Sequence, residues 1–304
     1  MPKSKPDLRQ RVLQVIPDLR ISSVRPGDDG LVHDVLIVNE ELVFRFAREE
    51  TGRRALEREA RLLALVRPRV SLPVPEVIQH QPDCIVYRFI PGVPLDRRRL
   101  LAQDAVTRKV LLEQLGTFLH QLHSLPGESG EAVSGPADTS PGMQDEYQEL
   151  YQALERELLP LMMVWARDWV RELFRPALDG DLDLTYAPAV IHGDLTPYHL
   201  CFDRGSQRLS GVIDFGNAGP GDPALDLGSF IMAFGESMLW QMESVYPTTS
   251  GLVNRARFHA AALELRWGLA AARSRDPAWF LCHLGYARDA WPAGWPAAPP
   301  KART

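Results

Sequence analysis

The sequence predicts an α+β fold with two lobes, a small β-rich lobe followed by a larger, mainly helical lobe, with a cleft between them. The chain has 304 residues, more than a single hydrophobic core usually accommodates. Its first third contains short β-branched and aromatic runs, whereas the rest contains apolar residues at helical spacing. The turn-rich segment PGVPL follows Ile90 and separates the two patterns. We therefore place the lobes at residues 1–90 and 91–290, ahead of a Pro/Ala-rich tail at 291–304.

The predicted N-terminal lobe consists of a helix, a hairpin, a second helix and two further strands. The first helix covers DLRQRVLQVI, and two apolar runs, Leu31–Val38 and Leu42–Ala47, predict a β-hairpin. The stretch TGRRALEREARLLALV has leucines near helical spacing and stops at Pro68, which predicts an amphipathic helix. LPVPEVI and CIVYRFI are typical of strands.

The predicted C-terminal lobe contains four main helices and a short β segment around residues 189–214. The helices cover AVTRKVLLEQLGTFLHQLHSL, DEYQELYQALERELLPLM, VWARDWVRELFRPAL and NRARFHAAALELRWGLAAARS. A Gly-, Ser- and Pro-rich loop is predicted between residues 126 and 142. In the third helix Trp165 and Trp169 lie four residues apart, and such an apolar stripe predicts burial in the core, with a ligand-pocket wall as the alternative.

The net charge and the number of cysteines argue against some classes of function. A formal net charge of −5 argues against a nucleic-acid binder and leans towards a cationic ligand. The 3 cysteines are far apart and odd in number, which favours a reducing, cytoplasmic setting over a disulfide framework or a metal site. Neither a signal peptide nor a membrane-spanning segment is predicted, so no membrane partner is expected. The sequence makes no prediction of the oligomeric state.

Two short polar loops contain the residues that suggest chemistry. His192, Asp194 and His199 lie in VIHGDLTPYHLCFD, and Asp214 lies in GVIDFGNAG. Between the loops, HLCFD and RLSGVI predict two strands joined by the turn DRGSQ, and such a hairpin would bring Asp194, His199 and Asp214 close together. Two carboxylates and an imidazole suit phosphoryl transfer, in which one carboxylate orients a hydroxyl and the other holds Mg²⁺ against nucleotide phosphates.

These motifs resemble those of the aminoglycoside phosphotransferase family, which has a two-lobed, protein-kinase-like fold. HGDLTPYHL resembles its catalytic loop, VIDFGNAGPGDPALDLG its metal loop and following helix, and LGTFLHQLHSL its first C-lobe helix. VFRFAR, LEREARLL and YRFIPG resemble its third strand, its N-lobe helix and its inter-lobe hinge. The resemblance covers residues 15–290 and implies a kinase that transfers the γ-phosphoryl group of ATP or GTP to a hydroxyl.

Within the C-terminal lobe, the resemblance implies that Asp194 is the catalytic aspartate and that Asp214 binds Mg²⁺. His199 stands where the family usually has asparagine, and imidazole is a poor substitute for the oxygen ligands that Mg²⁺ prefers, so its role as a direct ligand stays open. His192 is expected to shape the loop, and Asp226 to brace it through backbone N–H groups. Asp222, followed by proline, is predicted to be a helix N-cap.

At the nucleotide end, the family's strand lysine is replaced by Arg45, which can pair with phosphate oxygens in a bidentate way. Strand alternation places Arg45 on the face opposite its phenylalanine neighbours, with a solvated arginine as the alternative. Glu59 is the expected partner on the helix, with Glu57 as the second choice. The hinge backbone is expected to bind the purine base, without distinguishing ATP from GTP, through residues Arg88, Phe89 and Ile90. A weak phosphate-loop signal comes from Gly27 and Gly30.

The acceptor site is the least determined part. Residues 139–190 carry ten acidic residues against four basic ones, and carboxylates on such helices suit a polycationic, aminoglycoside-like acceptor. Candidates are Asp145, Glu146, Glu149 and Glu264. Solvated helix faces are the alternative for each carboxylate, and a macrolide, a sugar derivative or an amino alcohol is the alternative acceptor. A non-catalytic nucleotide-binding module is disfavoured because both Asp194 and Asp214 are present.

Overall fold

An antiparallel sheet of five strands forms the N-terminal part of the structure, a computed structural model that describes residues 8–27, 33–125 and 141–274. In the order β1-β2-β3-β5-β4, it consists of β1 (Val24–Pro26), β2 (His33–Val38), β3 (Leu42–Ala47), β4 (Val77–Gln81) and β5 (Cys84–Arg88). The predicted hairpin is present, with Val38 opposite Leu42 across its turn. Gly30, the start of the predicted hairpin, most of the predicted loop at 126–142 and the tail at 291–304 lie outside the described residues.

The two faces of this sheet pack against different helices. On the outer face, Leu36, Phe44 and Phe46 form a small apolar cluster with Val12 of α1 (Leu8–Val15). The opposite, inner face lies against α2 (Glu50–Val66), which buries leucines at helical spacing. Because side chains alternate along a strand, Arg45 points to the side of α2, as the sequence predicts.

The joint between the two parts is built around Gly92. Its φ of +149° disfavours other residues, and a Cβ there would lie 2.8 Å from the Ser210 hydroxyl and 3.0 Å from the Cβ of Cys201. Directly after it, β6 (Val93–Pro94) pairs with β8 (Leu200–Asp203), which in turn pairs with β9 (Arg208–Val212). The chain that leaves the joint, β6, is therefore part of the same sheet as the predicted catalytic hairpin.

Helices form most of the remaining described chain. They are α3 (Arg97–Leu101), α4 (Ala105–His123), α5 (Pro141–Ala153), α6 (Val164–Leu178), α7 (Pro223–Phe234), α8 (Glu236–Leu239) and α9 (Ser250–Ser274). α7 and α9 pack closely because Gly228 lets the helices approach: a Cβ there would lie 2.9 Å from the Cβ of His259. One large apolar cluster joins α4, α7 and α9 to α2 and β5, so the core is continuous from the inner face of the sheet into the helical part.

Two predictions about the helices are wrong in detail. Trp165 and Trp169 are 68% and 40% exposed, because α6 buries a different face, formed by Ala166, Val170 and Phe174. α5 starts at Pro141, inside the predicted loop, and gives way to a wider turn at Leu154–Leu158. Within the described ranges no helix has the length and apolar character needed to cross a membrane.

Candidate active site

The predicted catalytic hairpin brings together the three residues expected at its mouth. After β7 (Ala189–Ile191), the chain forms a short helical turn at Pro197–His199 and continues into β8. The His199 ring lies between the two aspartates, with Nε2 3.5 Å from Oδ2 of Asp214 and Nδ1 3.9 Å from Oδ2 of Asp194. Burial raises the pKa of Asp194, although His199 and His192 act in the opposite direction.

His192 connects the loop of Asp194 to the loop of Asp214. Its Nδ1 accepts from the Asp194 N–H at 3.3 Å, so its Nε2 carries the proton and donates to the Ile213 carbonyl at 3.0 Å. Burial lowers the pKa of His192, which favours the neutral ring that both bonds require. These contacts match the loop-shaping role predicted for His192.

Asp226, buried near the start of α7, receives three N–H groups. Its Oδ2 accepts from the His192 N–H at 2.7 Å and from His123 Nε2 at 3.0 Å, and its Oδ1 accepts from the Gly193 N–H at 2.9 Å. Burial alone raises the pKa of Asp226, but His123 and these hydrogen bonds hold it below its ordinary value. The predicted bracing of the loop is present, and His123, bonded also to Tyr246 at 2.7 Å, adds a partner that the sequence did not indicate.

Gly193 allows the two loops to touch. Its φ is +75°, and a Cβ there would lie 2.5 Å from the backbone oxygen of Asn217, just beyond Asp214. Glycine adopts this conformation without a steric cost, and the contact with Asn217 leaves no space for a side chain.

We expect Gly193→Ala to lower the free energy of unfolding by about 2 kcal/mol or more, because the left-handed backbone and the backbone contact both oppose the new methyl group. Urea unfolding measures this loss. Gly180→Ala is the matched control, since Gly180 has a φ of +80° with nothing within 4 Å of the added Cβ. Equal losses in the two variants would show that the contact with Asn217 has no energetic weight.

On the opposite wall of the site, Arg45 links the sheet, α2 and the loop of Asp214. Its Nη1 lies 2.8 Å from Oε1 of Glu59 and 3.1 Å from Oδ1 of Asp214. The expected Arg45–Glu59 pair is therefore present, whereas Glu57 pairs with Arg61 on the exposed face of α2. Burial raises the pKa of Glu59, and Arg45 acts in the opposite direction.

Asp214 itself has a left-handed backbone, with a φ of 65°, and its Oδ1 accepts from the Gly216 N–H at 3.4 Å. Burial raises its pKa, but Arg45 and His199 outweigh burial and hold the pKa of Asp214 below its ordinary value. The carboxylate is thus ionised and faces cationic or hydrogen-bonding groups on two sides.

The backbone N–H groups of the predicted hinge differ in availability. The Arg88 N–H donates to the Glu76 carbonyl at 3.0 Å, and the Phe89 N–H donates to the Glu41 carbonyl at 2.8 Å. These two N–H groups extend the hydrogen bonding of the sheet and are not open to a base. The Ile90 N–H has no hydrogen-bond partner within the described residues, so of the three it is the N–H that remains open to a ligand.

Asp222 is the predicted N-cap of α7, and it has a second set of contacts. Its Oδ1 accepts from the Ala224 N–H at 3.0 Å, while Arg255 Nε and His259 Nε2 lie 2.6 and 3.4 Å from Oδ2. Burial opposes ionisation, but His259 and Arg255 lower the pKa of Asp222 to about 2. His259 Nδ1 is also hydrogen-bonded to the Tyr147 hydroxyl of α5, so a buried polar chain connects α5 to the start of α7.

The acceptor candidates differ in availability. Glu264 is buried, and Glu146 forms an ion pair with Arg266, whereas Asp145 and Glu149 are exposed. A cavity of about 390 Å³ between α5 and α9 is lined by two of these glutamates and by three arginines, namely Glu146, Glu149, Arg156, Arg266 and Arg273. Its charge is not net acidic, so it offers a polycation no net attraction.

The described residues contain no group of three or more side chains that could hold a metal by themselves. Asp214 nevertheless fits Mg²⁺ bound with a nucleotide, because Mg²⁺ is usually held by one or two carboxylates and completes its shell with phosphates and water, while His199 beside it offers a less suited nitrogen ligand. The fit therefore depends on the nucleotide being present.

The sheet and α2 contribute the Arg45–Glu59 pair, and the two loops opposite contribute Asp194 and Asp214. This arrangement is that of a phosphotransferase with the kinase-like fold. A model of the phosphotransferase enzyme family APH matches residues 23–245. The chain therefore belongs to this family.

Individual relatives agree with this assignment. Viomycin phosphotransferase of Streptomyces vinaceus is 31% identical over 286 residues, which cover 88% of this chain and 96% of that protein. The GDP and kanamycin complex of APH(2")-IIia superposes with a TM-score of 0.79 and 25% identity, covering 90% of this chain and 95% of the other. Macrolide 2'-phosphotransferase type I, at 21% identity and a TM-score of 0.71 over 96% of this chain and 99% of that one, shares the fold.

Proposed function

We propose that this enzyme transfers the γ-phosphoryl group of ATP or GTP, bound with Mg²⁺, to a hydroxyl of a small cationic antibiotic of the aminoglycoside type. The observation that supports the proposal is the convergence of Arg45, Asp194, His199 and Asp214 at the interface of the sheet and the helical part. The family assignment favours direct in-line transfer, with no phosphorylated enzyme intermediate.

Asp194 orients the acceptor hydroxyl and accepts its proton as the bond to phosphorus forms. The loose transition state makes positioning its main task, so a strongly basic carboxylate is not required. A pKa that burial raises is compatible with this role, because the hydroxyl proton is transferred late. Arg45 neutralises phosphate oxygens of the nucleotide, and Glu59 holds Arg45 in place.

Asp214 and His199 are the residues that would hold Mg²⁺, which supplies charge neutralisation between the nucleotide phosphates. The geometry of His199 supports this assignment. Its Nδ1 lies 2.7 Å from the Asp194 carbonyl, and its Nε2 lies 3.5 Å from Oδ2 of Asp214. In the neutral form with the proton on Nδ1, Nε2 and Oδ2 would offer two electron pairs to the same cation.

We expect His199→Asn to lower the Mg²⁺ concentration needed for half-maximal rate, because an amide oxygen suits Mg²⁺ better than an imidazole nitrogen. Initial rates over a range of Mg²⁺ concentrations measure this quantity. His120→Asn, on the exposed face of α4, is the control. A His199→Asn enzyme with the Mg²⁺ dependence of the wild type would remove His199 from the metal site.

The acceptor is identified by incubating the protein with ATP or GTP and Mg²⁺ against viomycin, kanamycin, gentamicin, streptomycin, a macrolide, a sugar and a simple amino alcohol. We expect mass spectrometry to show one added phosphoryl group on a cationic antibiotic, and exposed carboxylates such as Asp145 and Glu149 to contribute to its binding. Phosphorylation of the macrolide, the sugar or the amino alcohol alone would reject the proposed acceptor class and leave the phosphotransfer site in place.

A further inference from the structure

His33 is a buried histidine that lies outside the set of residues assigned to phosphoryl transfer. It is the first residue of β2 and is 5% exposed. It pairs with Ala47 of β3, and Val35 pairs with Arg45, so His33 and Arg45 lie on the same, inner face of the sheet, two residues apart in register. The ring therefore lies next to the guanidinium at the nucleotide end of the site.

Each ring nitrogen of His33 has a partner that can act only as a donor or only as an acceptor of hydrogen bonds. Nη2 of Arg45 lies 3.4 Å from Nδ1, and the Gly52 carbonyl lies 3.2 Å from Nε2. A guanidinium can only donate and a carbonyl can only accept, so Nδ1 must accept and Nε2 must donate. One neutral tautomer satisfies both contacts, and burial, which lowers the pKa of His33, favours it.

The contact with Gly52 connects this ring to the first turn of α2. Gly52 has space for no side chain without adjustment: a Cβ would lie 3.2 Å from the Cβ of Ala47 and 3.4 Å from Nε2 of His33. Glycine thus lets α2 approach β3, and His33 spans the gap between the helix and Arg45.

Arg45 needs a second anchor because its guanidinium is large and its side chain is long. Glu59 and Asp214 both engage Nη1, and Nε has no hydrogen-bond partner within the described residues. Tyr87 of β5 also lies beside Arg45 and Glu59, but its hydroxyl makes no hydrogen bond within the described residues. Hydrogen bonds at Nη1 alone leave the plane of the guanidinium free to rotate about that atom. The contact of Nη2 with His33 supplies a second point, and two points limit this rotation.

We propose that His33 is a positioning residue for nucleotide binding, which sets the plane of the Arg45 guanidinium and ties it to the first turn of α2. The role rests on the proposed function, because Arg45 is the group expected to meet the nucleotide phosphates. In this role His33 acts through Arg45.

The test compares His33→Leu, which removes both hydrogen bonds at similar size, with His33→Gln, whose amide can accept from Arg45 and donate to Gly52. Calorimetric titration with Mg·ATP and Mg·GTP measures Kd, and initial rates separate KM for the nucleotide from kcat. We expect His33→Leu to weaken nucleotide binding about tenfold, the scale of one hydrogen bond to a charged group, and His33→Gln to restore most of it. His80→Leu, on exposed β4 of the same sheet, is the matched control.

A double-variant cycle with Arg45→Met distinguishes positioning from general stability. If His33 acts through Arg45, His33→Leu should cause no further loss of affinity once Arg45 is replaced, and the two substitutions should also be non-additive in urea unfolding without nucleotide. Full additivity, or a His33→Leu enzyme with wild-type Kd, would overturn the inference while the proposed function stands. A wild-type chain that binds neither nucleotide would overturn the proposed function and this role together.

Discussion

Asp194→Asn is expected to reduce kcat for phosphoryl transfer by a factor of about 10² to 10⁴, the usual contribution of a positioned acid–base group. The amide keeps the size of the side chain but neither accepts a proton nor carries charge. The surrounding loop should be preserved, because Asp194 contacts His192 through its backbone N–H and His199 through its backbone carbonyl. The Kd for Mg·ATP or Mg·GTP should therefore change little.

Rates with the best acceptor of the panel, together with calorimetric Kd values, check this expectation. Asp203→Asn is the control on the same hairpin, since Asp203 accepts from the Gly205 and Ser206 N–H groups of the turn between β8 and β9. It should leave kcat unchanged. An Asp194→Asn enzyme that kept its kcat would show that a different group orients the acceptor hydroxyl.

Arg257→Met is expected to lower the free energy of unfolding by about 3 to 5 kcal/mol, because it removes a bidentate cationic partner of the buried Glu236 carboxylate. The pair is bidentate, with Nη2 and Nε of Arg257 lying 2.6 and 3.0 Å from the Glu236 oxygens, and the two side chains are 1% and 0% exposed. Burial shields the Glu236 carboxylate from bulk water, so the loss of these two hydrogen bonds is costly.

Urea unfolding of single and double variants measures the effect. Arg171→Met, which removes an exposed pair with Asp168, should change stability by less than about 1 kcal/mol. Combining Arg257→Met with Glu236→Leu should recover much of the loss, since two apolar side chains can replace a buried ion pair. A loss in Arg257→Met no larger than in Arg171→Met would mean that the buried pair contributes nothing to folding.

Elements with a strong local pattern could be predicted from the sequence, and elements defined by distant contacts could not. The hairpin of β2 and β3 and the strands β8 and β9 are specified by alternating side chains and short polar turns. The two-residue strand β6 exists only because β8 lies beside it, which no local pattern reveals. The face that α6 buries was predicted wrongly because Trp165 and Val170 compete for the core, and only packing decides between them.

In the candidate site, too, residues in local motifs could be predicted and their distant partners could not. Asp194, Asp214, Asp226 and Arg45 stand in sequence motifs, and the structure brings them to one place. Partners from far along the chain were not predicted: His123 reaches Asp226 from α4, and a single sequence gives no measure of such pairing. Which hinge N–H groups are open could not be predicted, because backbone donors carry no sequence signal, and the carbonyls of Glu41 and Glu76 accept from two of them.

The two faces of β3 pack against different parts of the protein, so substitutions near one face should differ in effect from those near the other. Phe44 and Phe46 belong to the small outer cluster with α1, whereas Arg45, between them, belongs to the inner face. A substitution that loosens the outer cluster can shift the strand, and with it the guanidinium, while the large cluster around α7 stays folded. With Arg45 in the role proposed for it, substitutions in the outer cluster would change nucleotide affinity from the side of the sheet that faces away from the active site.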